Sequence, residues 1–298
     1  MKIAFVGLGG MGRGVTKNMV LKGLDVTAYD IDTARLDDAV ALGAKRGTGP
    51  AEMAAEADIL SICVTTAEVE QAILLGPDGA LARMKPGSVV IDHTTVSVAH
   101  VEKMRDACAA AGILYAEAPM TRTPMHADRG EVNVLFGGEA DLLERLRPVF
   151  ATYAENIFHV GPAGHATKLK LIHNYIAFSN VAAFCEGFAL AAHEGLDMTK
   201  VIGIISAAGG KSGMMDLYGE ATLNRDFTPY MTLSNAQKDV RYYAEWLEEA
   251  GLPAFLARSV HQSYAMASIK GHGGEGCTAI IKPYEELSGT IARLPAKG

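Results

Sequence analysis

The stretch Gly161-Pro162-Ala163-Gly164-His165-Ala166-Thr167-Lys168-Leu169-Lys170-Leu171-Ile172-His173-Asn174 divides the chain. Before it, strand-like runs alternate with helix-like runs; after it the pattern is almost wholly helical. A glycine-punctuated turn opens what reads as one long apolar helix, reaching about Glu194. Lys170 and Asn174 are four residues apart near its start and so share one helix face. A lysine and an amide so placed, at a domain boundary, read as an active site or as solvated polar residues of a first turn.

Upstream, Lys2-Ile3-Ala4-Phe5-Val6 is a buried-strand pattern, followed at once by Gly7-Leu8-Gly9-Gly10-Met11-Gly12 and a helical run from Arg13 to Lys22. This is GxGxxG between a strand and a helix, the context a dinucleotide-binding loop requires. Gly7 permits the tight turn, Gly9 a close approach of backbone to pyrophosphate, and Gly12 tight packing of helix on strand. Met11 lies inside the same loop. The helix N-terminus adds N–H groups and a positive dipole end. A second strand, Asp25 to Tyr29, ends at Asp30, near the 20-residue offset expected of the acid that accepts from the ribose hydroxyls. A glycine turn with a surface aspartate is the bland alternative. Asp30, followed by Ile31 and Asp32 with no arginine among them, favours NAD over NADP.

The alternation continues with strands at 58–64, 88–92, 113–117, 132–136 and 157–160, and helices at 67–75, 98–111 and 142–153. Such units build a doubly wound parallel sheet with ligands at the strands' C-terminal ends. Thr65, Thr66, Thr94 and Thr95 lie at such ends, where cofactor contact and helix capping are equally good readings. Thr121-Arg122-Thr123, between Pro119 and Pro124, sits at another; hydroxyls and a guanidinium bind anions well, though a surface loop explains them too. The predicted organisation is a Rossmann-type α/β domain over 1–163 and an all-α domain over 164–298 that begins with the long interdomain helix.

Bulk properties limit the function. At 298 residues with 49% apolar content the chain can bury a real core. A net charge of −7 without charge blocks argues against nucleic acid as partner. Four scattered cysteines read as free thiols of a reducing compartment. Met1 runs straight into a strand, so we expect no secretory leader and a cytoplasmic protein. The long helix carries Glu186 and Glu194 and is not read as membrane-spanning. The nine histidines make no HExxH or similar spacing, so no metal site is expected.

Three stretches taken in order, GLGGMG, EAPMTRTP with GEVNVLFGG, and GPAGHATKLKLIHN, resemble the β-hydroxyacid dehydrogenase family of 3-hydroxyisobutyrate dehydrogenase and tartronate semialdehyde reductase, with 6-phosphogluconate dehydrogenase more distant. Gln237-Lys238-Asp239 and Gly273-Gly274-Glu275 extend the likeness over nearly the whole chain. The resemblance implies an NAD(P)-dependent interconversion of a small anionic β-hydroxy acid and its semialdehyde. It implies Lys170 as proton donor, Asn174 beside it, and Lys238 near the nicotinamide. Lys168 and Lys170 are about 200° apart around a helix, and the family spacing and the face shared with Asn174 select Lys170.

The usual D-x-P-V-S-G-G signature is altered here. Glu117 replaces Asp, Thr121 the substrate-binding Ser, and Arg122 and Thr123 the two glycines. Sulfolactaldehyde reductases of the family carry an Arg-Thr pair at the same place, so the substrate's acid group is carboxylate or sulfonate. Ala166 stands where a glycine is usual, and His173 precedes Asn174 as in 6-phosphogluconate dehydrogenases.

The chemistry fits these residue types. As hydride reaches an aldehyde carbon, its oxygen gathers negative charge, and a lysine ammonium within reach stabilises it and supplies the proton. Thr121, Arg122 and Thr123 would bind the acid end. An imine reductase shares the architecture but usually lacks the lysine, and a non-catalytic dinucleotide sensor has no need of Lys170 with Asn174. The apolar helical half predicts a homodimer or homotetramer.

Overall fold

A computed structural model describes residues 1–295. In chain order the strands are β1 Lys2–Val6, β2 Asp25–Tyr29, β3 Lys45–Arg46, β4 Ile59–Ile62, β5 Val89–Asp92, β6 Leu114–Glu117, β7 Met120–Thr121, β8 Val132–Gly137 and β9 Ala154–Gly161. Among them lie helices α1 Gly10–Leu21, α2 Thr33–Ala41, α3 Pro50–Glu56, α4 Ala67–Leu75, α5 Val98–Ala110, α6 Pro124–Arg129 and α7 Ala140–Phe150. Helices α8 His165–His193, α9 Met198–Ala207, α10 Gly213–Leu223, α11 Leu233–Glu249, α12 Phe255–Ala267 and α13 Ile281–Ser288 follow. The chain divides into two compact units, Met1–Lys170 and Leu171–Gly298, and the division falls inside α8.

The first unit holds one sheet in the order β3-β2-β1-β4-β5-β6-β8-β7, with β9 on β8. Strands β1 to β6 pair in parallel, whereas β8 runs antiparallel to β6 and β7. The two-residue period of a strand explains why helices cover both faces. Ile3 and Phe5 point into one core with Val15, Met19 and Phe136, and Ala4 and Val6 point into the other with Leu60, Val90 and Met104. The reversal point of the strand order lies between β1 and β4, where open α/β sheets bind ligands.

The second unit is helical, and its core gathers Phe178, Val181, Cys185 and Phe188 of α8 with Val240, Tyr264 and Ile280. Among the described residues α8 alone has the length and apolarity to cross a membrane, yet these side chains bury one of its faces in protein. The last helix stops at Ser288, because Gly289 turns left-handed at φ 71°.

Candidate active site

The glycine loop is shaped by its neighbours. Gly7 has φ +97°, and a Cβ there would lie 2.2 Å from the Cys63 carbonyl oxygen. A Cβ on Gly12 would stand 1.9 Å from the Gly7 carbonyl oxygen, so α1 starts hard against the turn. Gly9 differs: the nearest atom to a Cβ there is Arg35 Nη1 at 3.8 Å, so packing leaves that position open. Gly9 is also the N-cap of α1 and has no side chain to cap it. The first N–H groups of α1 thus open onto a space that suits a phosphate. Met11 is half-buried in the same turn.

Asp30 follows β2, and its carboxylate accepts from the Leu8 N–H at 2.6 Å and the Asp32 N–H at 2.8 Å. The acid is thereby aimed along the glycine loop. Arg35 is a residue the sequence reading missed. It lies in α2, a helix the pattern did not mark; its guanidinium approaches Gly9 and its Nε lies 3.2 Å from Asp32.

Two capping questions resolve at the strand ends. The cap of α4 is Thr66, whose hydroxyl accepts from the Val69 N–H, and the cap of α5 is Ser97. Thr65 and Thr95 are therefore placed at the mouth of the sheet without that structural duty. Just before Thr95, buried Asp92 accepts from the Thr94 N–H at 2.8 Å and from the Tyr115 hydroxyl at 2.7 Å. Burial and the nearby Glu70 charge push its carboxyl well above the usual range.

The Thr121-Arg122-Thr123 loop comes close to the glycine loop. The Pro124 ring lies 3.0 Å from where a Cβ on Gly10 would be, and α6 packs on α1. Asn18 donates to the carbonyls of Ala127 and Asp128, while Lys17 and Arg13 pair with the Asp128 carboxylate. The two predicted binding loops are thus carried on one packed pair of helices.

Within the loop the three side chains differ. Thr121 pairs with Asn133 across β7 and β8, and its hydroxyl accepts from Asn133 Nδ2 at 3.0 Å, so its own proton can be given elsewhere. Thr123 is buried, with its hydroxyl 2.8 Å from His126 Nδ1. Arg122 has a left-handed backbone at φ 77°, and its guanidinium donates to the Glu131 carbonyl at 2.6 Å and to the Glu155 carboxylate. The expected anion binder is therefore paired with an acid of the protein itself, a partner that lies 33 residues away and that no spacing rule reveals.

Lys170 is buried at 7% exposure, whereas Lys168 is half-buried on another face of α8. The helix start is held by buried Glu117, whose carboxylate accepts from the backbone N–H groups of Gly164 and Thr167. Burial pushes its carboxyl up, against those two hydrogen bonds.

In the second unit, Asn174 is 2% exposed and donates from Nδ2 to Asp239 Oδ2 at 2.6 Å. Because a carboxylate only accepts, this bond orients the amide and turns its Oδ1 to His173 Nδ1 at 2.9 Å. Lys238 Nζ lies 3.1 Å from the other Asp239 oxygen, an ion pair more than a well-directed hydrogen bond, and 5.3 Å from the Tyr242 ring centroid. Asp239 was visible in the sequence only as the neighbour of Lys238; its burial beside an amide is a product of the helical packing.

Residues 2–161 match the model of the NAD binding domain of 6-phosphogluconate dehydrogenase. Residues 164–284 match that of the NAD-binding domain of NADP-dependent 3-hydroxyisobutyrate dehydrogenase. The chain belongs to the 3-hydroxyisobutyrate dehydrogenase family. It is an NAD(P)-dependent hydroxyacid dehydrogenase, and the glycine loop with Asp30 fits that cofactor.

Within the family it is similar to an L-threonate dehydrogenase of Cupriavidus necator, 31% identical over 290 residues that cover 96% of this chain and 98% of the relative. A 2-(hydroxymethyl)glutarate dehydrogenase of Eubacterium barkeri is 28% identical over 97% of this chain and 96% of its own. The crystal structure of a 3-hydroxyisobutyrate dehydrogenase from Salmonella typhimurium superposes with a TM-score of 0.87 at 28% identity, covering 95% of this chain and 99% of that one.

Proposed function

We propose that this protein interconverts a small acidic semialdehyde and its β-hydroxy acid, with Lys170 as the proton donor in reduction. The observation that carries this is the burial of Lys170 in the second turn of a helix whose start is fixed to the sheet that bears the dinucleotide loop. NAD(P)H supplies the hydride when bound. Lys170 stabilises the oxygen as it gains charge and hands it a proton; in oxidation, neutral lysine takes the proton back. Asn174, four residues along the same helix face, holds or orients the oxygen, its amide fixed by Asp239. Thr65 and Thr95 line the cofactor path, and Lys238 stands beside the nicotinamide in this reading.

Thr121, Arg122 and Thr123 receive the acid end. An exposed arginine–carboxylate pair contributes only about 0–1 kcal/mol, so a substrate anion displaces Glu155 at small cost. NAD is the physiological cofactor on this reading, because Asp30 would repel a 2′-phosphate; Arg35 works in the opposite sense, and its pairing with Asp32 blunts it. The relatives named for threonate and 2-(hydroxymethyl)glutarate support a small hydroxy acid as substrate. Arg122-Thr123 supports sulfolactaldehyde as a second reading. Exposed Ile204, Phe255, Ile269 and Leu287 of the helical unit support a homodimer or homotetramer, and the four free cysteines support the reducing cytoplasm as its place.

The test is NADH oxidation by purified protein with methylmalonate, tartronate and succinate semialdehydes and with sulfolactaldehyde. Turnover of at least one is expected. Tight NADH binding without turnover of any would replace this reading with a dinucleotide sensor, and turnover of cyclic imines alone with an imine reductase.

A further inference from the structure

We propose that Glu117 is the positioning residue of the catalytic lysine, holding the first turn of α8, and with it Lys170, to the end of β6. The inference rests on the reading of Lys170 as proton donor.

The first N–H groups of any helix lack intrahelical acceptors. Here one carboxylate from a neighbouring strand takes two of them. Glu117 is 1% exposed at the last position of β6, where its Cα is paired with Gly137 of β8. One of its oxygens accepts from Gly164 N–H and the other from Thr167 N–H, at 3.1 Å. Thr167 is one helical turn before Lys170. The turn that precedes it bends through left-handed backbone at Gly161, φ +143°, and Gly164, φ +95°. Nothing lies within 4 Å of a Cβ built on Gly164, so side-chain packing does not fix that residue. The carboxylate does.

The space around it is closed. A Cβ on Gly137 would stand 2.8 Å from Glu117 Oε2 and 3.1 Å from Ala166 Cβ, so helix start, carboxylate and strand are in mutual contact. An aspartate, one methylene shorter, cannot span to both N–H groups from the same Cα without moving the helix. A shift of about 1 Å in a reacting group costs on the order of a hundredfold in rate. The hold on α8 therefore matters for turnover as well as for helix stability.

The variants are Glu117→Gln, which keeps the size but has one accepting oxygen, and Glu117→Asp. Measured well below the melting temperature, kcat should fall by about tenfold or more in both, with KM for the cofactor within about twofold. Amide hydrogen exchange at Gly164 and Thr167 should quicken by about tenfold or more. A merely stabilising cap would lower Tm and leave kcat unchanged. Where Glu117→Gln does not fold, Gly137→Ala, which keeps Glu117 but pushes its carboxylate off the helix start, carries the same test. Folded variants that keep kcat within about twofold, or leave those amides equally protected, overturn the proposal. If Lys170→Ala keeps full turnover, the proton-donor reading has failed by itself, and amide exchange alone then decides whether Glu117 holds the helix.

Discussion

Asn174 donates to Asp239 at 2.6 Å, and both residues are 2% exposed. The bond joins α8 to α11 inside the helical unit and leaves the amide one orientation. Replacing Asn174 with Leu removes a donor from a buried carboxylate, which costs about 1–3 kcal/mol. The double variant Asn174→Leu with Asp239→Leu should be milder than the sum of the single changes, with a coupling of about 0.5–3 kcal/mol in denaturant titrations. Additive losses would mean that the two residues act separately.

Asp30 accepts from the glycine loop through Leu8 and stands at the end of β2. Its charge disfavours a 2′-phosphate. We expect kcat/KM for NADH to exceed that for NADPH, and Asp30→Gly to narrow the ratio by about tenfold or more, on the scale of a charged hydrogen bond. Arg35, beside Gly9, should then become a phosphate partner, so Asp30→Gly with Arg35→Ala should lose the gain. A preference for NADPH in the native protein would reverse the assignment.

Glu155 pairs with the Arg122 guanidinium, so in the proposed reading it competes with the substrate's acid group. Glu155→Gln should lower KM for an anionic substrate by less than about tenfold, the scale of an exposed pair, and leave the cofactor KM alone. Arg122→Gly should raise the same KM. Steady-state kinetics that show no change for either variant would take Arg122 out of the acid-binding role.

His93 is buried at the end of β5, with Nδ1 2.7 Å from the Ala118 carbonyl and Nε2 3.1 Å from the Ser61 hydroxyl. Burial lowers its pKa to about 4. A depressed histidine is neutral in the fold and protonated in the unfolded chain between that value and about 6.5. Its contribution is therefore complete above about pH 6.5 and is lost as pH falls to about 4, for a total of about 3 kcal/mol. Buried Asp92 and Glu117, both raised, act in the opposite sense and lose stability as pH rises through their folded values. His93→Gln should flatten the fall of Tm between pH 6.5 and 4. An unchanged slope would show that His93 does not titrate this way.

Local chemistry made the fold readable. A buried parallel strand writes a continuous apolar run, and β1 and β2 start and stop at the residues their patterns indicate. Elements with weak patterns escaped: β3 and β7 have two residues each, α3 and α6 are short, and α2 buries only Leu36 and Ala39. The candidate site was legible where its residues share one local segment, as with the glycine loop, or one helix face, as with Lys170 and Asn174. It was not legible where a partner arrives from a distant strand or helix. Glu155 on Arg122, Asp239 on Asn174 and Glu117 on Gly164 are such cases, each fixed by sheet or helix packing and not by spacing.

The central claim is that Lys170 supplies the proton. Turnover of the best semialdehyde by Lys170→Met, at saturating NADH, tests it most directly. Its kcat should be lower by about 10²–10⁴, the usual contribution of a general acid, with NADH affinity changed by less than about threefold and with Lys168→Met close to the native rate. A Lys170→Met protein that folds, binds NADH and turns over within a few-fold of the native rate would contradict it.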